Sequence, residues 1–424
     1  MSTGIFRREL WTKELIAWYL YDFSNSFLII NCTVYFSQWV IIDHDVPDFF
    51  FGLAFMAASA FLVFVTPYVG ELGDRGRGHR KIFVGTTIAA ILAGFAIFVS
   101  GRFIPDPRMA LIAALLAYGI FQFLQQLALV PYNAFLKYIS PPEHYGKISG
   151  LGFMANQLGF IAGLAVSLVV TAGPLTWFGV DRLAPLLPSA IAFVVFSLPA
   201  LIILHSGHQP ATGGATVSFW KTLSSNLREA KQYPGVRPLI LAFHLFTNAV
   251  NPILLFSAIY LEKTFGASDP FKVKTFLSVI AAYTLGAVIG GALSDKIGHR
   301  RMVLASLALT AVATIPLASV QQLAPTIIFF PIYGLGIGMV YASSRAYLAS
   351  LIPSTESGRF FGLYTFAEKL GQVIGPITWT FIVLMFAGYA PGNYRIATFA
   401  TGMFVLASMI TIARKEKTPH HKAE

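Results

Sequence analysis

Leu136–Lys137–Tyr138–Ile139–Ser140–Pro141–Pro142–Glu143–His144–Tyr145–Gly146–Lys147, followed by Gly150 and Leu151, is a phrase the chain writes twice. Its second copy reads Leu348–Ala349–Ser350–Leu351–Ile352–Pro353–Ser354–Thr355–Glu356–Ser357–Gly358–Arg359, followed by Gly362 and Leu363, 212 positions further on. The same offset carries Gly159 and Gly163 onto Gly371 and Gly375. It is half of the 424-residue length, so the chain reads as two related halves. In a membrane protein, repeated halves imply a solute site lying between them near the bilayer midplane, the mark of a carrier.

Composition puts those halves in a bilayer. Hydrophobic residues make up 56% and charged residues 12%; a soluble chain would carry about twice that charge. Apolar runs of about 20 residues, long enough to span hydrocarbon as helices, recur at 15–41, 49–72, 82–100, 109–136, 148–172, 184–204, 238–261, 273–294, 302–319, 324–351, 360–386 and 396–413. They lack the period-two alternation of a strand, which excludes a barrel. The expectation is an all-α membrane protein with twelve transmembrane helices in two pseudo-symmetric six-helix bundles. One bundle is 1–205, the other 238–413, with a linker at 206–237 and a basic tail at 414–424.

Basic residues set the orientation. Of 30 Lys and Arg, 21 fall at the N-terminus, in alternate loops, in the linker and in the tail; seven fall on the opposite side. Both termini and the linker are therefore expected in the cytoplasm, and the membrane is the plasma (inner) membrane if the chain is prokaryotic. The net charge of +11 is explained by attraction to anionic lipid and calls for no nucleic-acid partner. The single cysteine, Cys32, lies inside the first span and excludes a disulfide framework. That span is too long and too polar at its centre for a cleavable signal. The linker opens with Gly207, Pro210, Thr212, Gly213 and Gly214, a flexible composition. It continues as Ser218–Gln232 with Phe219, Trp220, Leu223 and Leu227 at helical spacing beside Lys221, Arg228 and Lys231, which predicts an amphipathic helix on the inner membrane surface.

Two loops carry a common signature. After the second span stands Gly70–Glu71–Leu72–Gly73–Asp74–Arg75–Gly76–Arg77–Gly78–His79–Arg80–Lys81; after the eighth, Gly290–Gly291–Ala292–Leu293–Ser294–Asp295–Lys296–Ile297–Gly298–His299–Arg300–Arg301. The pattern resembles the G-x-x-x-D-[RK]-x-G-[RHK]-[RK] loop of the major facilitator superfamily, with a two-residue insertion in the first copy. Glycines there let helices approach closely, and an aspartate can cap a helix N-terminus. The resemblance implies a conformational latch built from Gly70, Asp74, Arg75, Gly291, Asp295, Lys296 and Arg359. Asp74 would meet the start of the eleventh span and Asp295 the start of the fifth. Trp18–Tyr19–Leu20–Tyr21–Asp22–Phe23–Ser24–Asn25–Ser26 further resembles the first-span motif of the vacuole-effluxer-like branch, which includes the fungal vacuolar amino-acid exporter linked to autophagy. Pro131–Tyr132–Asn133–Ala134, Gly146–Lys147–Ile148–Ser149–Gly150–Leu151–Gly152, Ser344–Arg345 and Phe361–Gly362–Leu363–Tyr364–Thr365–Phe366 with Lys369 support it. Lys137, Tyr138, Thr247–Asn248 and Glu368 depart from that branch's pattern.

A charge at the bilayer centre costs about 2.5–3.5 kcal/mol even on lenient scales. Asp22, Arg345, Glu368 and Lys369 nevertheless fall inside spans. Two negatives against two positives make pairing the least costly arrangement. Glu368 and Lys369 stand about 100° apart on a helix; Lys369, at the family position, is expected in the cavity. Polar neighbours follow helical spacing: Asp22 with Asn25 and Ser26; His244, Asn248 and Asn251 ahead of Pro252; Gln122, Gln126 and Asn133; and Tyr283. By the resemblance, spans one, four, seven and ten line the cavity. The glutamines and His244 also fit simple interhelical bonding, and Gly159, Gly163, Gly371, Gly375 and Gly286–Gly290 read as packing positions.

There is no nucleophile elbow, paired-histidine zinc motif or phosphate-cradling loop, so the chain reads as neither an enzyme nor an ATP-driven pump, with no cofactor and no metal site. The reading is a monomeric secondary carrier of a small amphoteric solute. Its α-carboxylate would meet Arg345 or Lys369, and its ammonium Asp22, with a proton or another ion as coupling partner; the branch resemblance implies amino-acid export. Two alternatives stay open. One is an organic-anion carrier in which the acids only hold the cations; the other is a non-transporting receptor or scaffold.

Overall fold

The computed structural model describes residues 8–74, 78–140, 145–172, 179, 181–205, 219–353 and 357–414. Every regular element in them is helical. The chain divides into two compact units, Met1–Gly214 and Ala215–Glu424. The first holds α1 (Lys13–Asn31), α2 (Asp48–Asp74), α3 (Gly78–Phe103), α4 (Pro107–Ile139), α5 (Tyr145–Ala172) and α6 (Leu186–Ile203). The second opens with the short α7 (Phe219–Glu229). It continues with α8 (Val236–Phe265), α9 (Asp269–Ile297), α10 (His299–Ser319), α11 (Thr326–Leu351), α12 (Ser357–Met385) and α13 (Gly392–Ala413).

Local chemistry starts and stops these helices. Thr12 caps α1 by accepting from the Leu15 amide (3.3 Å), and Asp106 caps α4 by accepting from the Met109 amide (2.8 Å) ahead of Pro107. Gly298 turns the chain between α9 and α10 at φ +91°, a conformation that suits glycine and explains its place in the loop signature. Beyond α1 the helix widens into π-helical turns over Cys32–Phe36 and Trp39–Asp43, an irregularity that apolar periodicity does not reveal. Buried, Cys32 is a free thiol.

Among the described residues, eleven helical spans are long and apolar enough to cross a membrane. Of the twelve expected, the one at 360–386 falls short of that apolarity. Its helix, α12, runs 29 residues, but Glu368, Lys369 and Gln372 sit in its middle. The outward surface is apolar: Phe61, Leu92, Ile202 and Val288 are all nearly two-thirds exposed, as lipid-facing side chains should be.

The sequence repeat is repeated in the packing. In the first unit α1 lies against α5 and α6, α2 against α4, and α3 against α4 and α6. In the second, α8 lies against α12 and α13, α9 against α11, and α10 against α11 and α13. Glycines set the close approaches. A Cβ on Gly163 would come within 2.9 Å of Ile30 and 3.2 Å of Phe27; one on Gly375, within 2.6 Å of the Asn248 carbonyl and 2.9 Å of Pro252. The α9–α11 seam is tighter still, with Gly286 and Gly290 against Leu335 and Met339, and Gly334 and Gly338 against Val279 and Tyr283. Added to Gly338, a Cβ would meet the Ala287 nitrogen at 2.8 Å and the Tyr283 carbonyl carbon at 2.9 Å, both backbone atoms that cannot swing aside.

Gly338→Ala is therefore expected to destabilise the second unit by about 1–3 kcal/mol, the usual scale of overpacking. Gly85→Ala, in α3 with nothing within 4 Å of the new carbon, gains helix propensity and is expected to be neutral or stabilising by up to about 1 kcal/mol. Thermal unfolding in detergent measures both; equal midpoints for the two variants would refute the seam as the reason for glycine at 338.

Candidate solute-binding site

In the first unit, the polar face of α1 is held by α4 and α5. Trp18 and Tyr132 bond reciprocally: the indole N–H donates to the Tyr132 carbonyl (3.2 Å), and the Tyr132 hydroxyl donates to the Trp18 carbonyl (2.9 Å). Their rings stack at 4.7 Å. The same hydroxyl lies within hydrogen-bonding reach of the Asp22 carboxyl. Gly152 of α5 provides the room, since a Cβ there would come 2.8 Å from Asp22 Oδ2. Asn156 donates to Ser26 Oγ (2.7 Å) and to the Asp22 carbonyl (3.4 Å), while Ser26 donates back to that carbonyl (3.1 Å). Asp22 is half-buried. Asn25 lies buried with its Oδ1 unpaired.

In the second unit two groups form. On α8, His244 Nδ1 and the Ala367 carbonyl of α12 are 3.0 Å apart. Asn248 Nδ2 lies 3.1 Å from His244 Nε2 and donates to the His244 carbonyl (2.8 Å), leaving its own buried Oδ1 unpaired. Asn251 donates to the Thr247 carbonyl (2.7 Å), a bond within its own helix. The other group gathers around Arg345 of α11. Tyr283 of α9, Tyr341 of α11, Tyr364 of α12 and Glu368 of α12 all lie within electrostatic reach of its guanidinium. Tyr364 hydrogen-bonds Ser344 at 2.7 Å. Phe243 stacks on Tyr364 at 3.7 Å and, with Phe246, packs edge-on to Tyr341. A charged fork stands here in a cage of aromatic rings and hydroxyls.

Several expectations change in detail. Arg345 and Glu368 share that cage, yet among the described residues no ion pair joins them. The Tyr364 hydroxyl, bonded to Ser344, stands beside the guanidinium. Glu368, rather than Lys369, is the residue beside Arg345; Lys369 donates to Gln372 Oε1 (3.1 Å) along its own helix. On α4, Gln122 is buried, Gln126 is half-buried, and Asn133 is exposed. Of the latch set, Gly291, Asp295 and Lys296 end α9 with both charged side chains exposed. Gly70, Asp74, Arg75 and Arg359 lie outside the residues described at side-chain level.

Sequence reasoning missed Asn156, and it missed the network in which Asn31 donates to Ser189 Oγ (2.8 Å) and the Gly163 carbonyl (3.2 Å) and accepts from Ser167. That network ties α1, α5 and α6. It contributes one polar residue per helix, a pattern with no periodicity to detect.

Two repeated bundles of bilayer-length helices, each with ionisable groups held among polar partners within its spans, define a multi-pass membrane transporter. The chain belongs to the Major Facilitator Superfamily, whose family model matches residues 23–290 and 239–424. It is 23% identical over 381 residues to the uncharacterized MFS-type transporter YxiO of Bacillus subtilis, covering 86% of this chain and 87% of that one. Autophagy-related protein 22 of Yarrowia lipolytica is 26% identical over 271 residues, 54% of this chain and 44% of its own length. The crystal structure of nucleoside transporter NupG shares the fold, with a TM-score of 0.74 at 12% identity over 94% of this chain and 98% of that one.

Proposed function

We propose that the protein is a secondary carrier that exports a small zwitterionic metabolite, of which an amino acid is the simplest kind, by alternating access. The observation that carries this reading is the Arg345–Glu368 group: opposite charges in one aromatic cage without a direct bond between them. An α-carboxylate matches the guanidinium fork, and an ammonium matches Glu368 together with the aromatic faces of Tyr341 and Tyr364. The partial likeness to Autophagy-related protein 22 supports placing the chain in the vacuole-effluxer-like branch.

Asp22 is assigned to proton coupling. It is half-buried, and its Tyr132 partner can follow either protonation state by turning its hydroxyl. The chain works as a monomer in the plasma membrane with both termini inside and α7 on the inner surface.

The test is flux in proteoliposomes. A mixture of amino acids is expected to exchange against labelled substrate, whereas their deaminated and decarboxylated analogues compete at least about tenfold less well, each lacking one charge-assisted contact. Equal competition by the deaminated analogues would establish the organic-anion alternative, which the two cations Arg345 and Lys369 favour. Asp22→Asn is expected to abolish accumulation driven by a pH gradient while preserving exchange at equilibrium. Full gradient-driven accumulation in that variant would remove Asp22 from coupling.

A further inference from the structure

Beneath α7 the second unit holds a cleft of about 560 Å³ that the solute chemistry does not use. Its volume lies within the about 300–1,000 Å³ typical of small-molecule sites. Leu227, Ile240, Leu241, Leu363, Phe366 and Leu370 make its walls. Two of these, Leu227 and Leu241, are 44% and 52% exposed, so the cleft opens onto the apolar outer surface of the unit.

All of its full charge stands at one end. Arg237, in the first turn of α8, and Arg414, just past the end of α13, form the rim; both are exposed, and among the described residues no carboxylate lines the cleft. Arg300 anchors the second of them. Its guanidinium donates to the Ile412 carbonyl (2.8 and 3.2 Å) and to the Ala413 carbonyl (3.0 Å). That satisfies the last turn of α13 and fixes where Arg414 emerges. Arg300 and Arg414 also border an adjoining hollow of about 260 Å³. The far end of the cleft is closed by His244 and Ala367, the pair joined at 3.0 Å.

A long apolar trough with two arginines at its mouth matches an amphiphile that carries one negative head. We infer that this cleft binds a single anionic glycerophospholipid, with an acyl chain against Leu241 and Phe366 and the phosphate between Arg237 and Arg414. A free anion has no use for the trough, and a zwitterionic lipid gains little from two unpaired cations. The occupant's tail abuts the back of His244, whose front holds Asn248 (3.1 Å), so the lipid also supports the polar face of α8.

Native mass spectrometry of the full chain, delipidated in neutral detergent and titrated with dioleoylphosphatidylglycerol or dioleoylphosphatidylcholine, tests this. One phosphatidylglycerol is expected to bind about tenfold more tightly than phosphatidylcholine, as two arginines near a lipid phosphate would give. The double variant Arg237→Gln, Arg414→Gln changes only exposed side chains and is expected to bring phosphatidylglycerol to the phosphatidylcholine level. Leu241→Trp, which fills the cleft from its exposed side, is expected to weaken both lipids about tenfold or more. Three results would each overturn the inference: equal binding of the two lipids by the unaltered chain, a preference that survives loss of both arginines, or displacement by glycerol 1-phosphate as effective as by whole lipid. Should the double variant unfold, each single substitution carries the same expectation at about threefold.

Discussion

Arg345→Gln is expected to lower solute flux in proteoliposomes about 100-fold while leaving the thermal unfolding midpoint in detergent nearly unchanged. A bidentate, charge-assisted contact from the guanidinium to the solute carboxylate is worth about 1.5–3 kcal/mol, and the upper end of that range corresponds to this loss. Stability is spared because the guanidinium is exposed and makes no ion pair among the described residues. Its neighbour Tyr364 keeps its hydrogen bond to Ser344 (2.7 Å). Arg345→Lys keeps the charge but loses the planar fork, and is expected to recover only part of the flux. Glu368→Gln separates the two solute classes. A zwitterion carrier should lose about tenfold or more, since its ammonium has lost an ionised partner; an anion carrier should be unaffected or improved. Solute-induced thermal stabilisation, read beside flux, distinguishes lost binding from lost turnover. Flux within threefold of the unaltered chain for Arg345→Gln would remove the residue from the site.

The chemistry behind that experiment was only partly visible in the sequence. Asp22 and Ser26 stand four apart, as do His244 and Asn248; that spacing put each pair on one helical face, where hydrogen bonds now join them or their backbone. The cage around Arg345 had no such signal. Tyr341 and Tyr364 lie within apolar runs, where a tyrosine reads as packing; only the folded unit brings them to one guanidinium. Choosing between Glu368 and Lys369 required knowing which flank of α12 faces α9 and α11. Adjacent residues on a helix leave that open, and the family position pointed to the other one.

The helices themselves were plain, and where their ends differ the reason is physical. An apolar run marks the slab of hydrocarbon, but hydrogen bonding continues the helix into the polar region beyond. The run at 238–261 thus belongs to α8, which reaches from Val236 through Glu262 and Lys263 to Phe265; that at 273–294 belongs to α9, Asp269–Ile297. The π-helical turns after Asn31 break this correspondence from within. They alter the phase of side chains around the axis, so any face drawn on the first span beyond residue 31 by 3.6-residue spacing is rotated from its true position.

Those extended ends hold the chain's most consequential ion cluster, and Lys272→Met is expected to be the most destabilising single change of a charged residue proposed for this fold. The Lys272 side chain is 0% exposed, in the first turn of α9. Its ammonium pairs with Glu262 of α8 and lies 2.5 Å from Asp269, one turn earlier on its own helix. Methionine fills the space but takes the buried ammonium away from two carboxylates that are 19% and 26% exposed. Breaking a buried pair in this way costs about 3–5 kcal/mol. Partial hydration of the acids puts the expectation near the lower figure, a fall of the order of 5 °C in the unfolding midpoint. The decisive comparison is the triple variant Lys272→Met, Glu262→Gln, Asp269→Asn. A buried pair exchanged whole for neutral groups of similar volume is often close to neutral, so most of the lost stability should return. If Lys272→Met alone leaves the midpoint unmoved, the α8–α9 turn is held by the Gly266 cap (φ +63°) and its bonds to the Glu262 and Leu261 carbonyls, and the buried lysine contributes nothing to it.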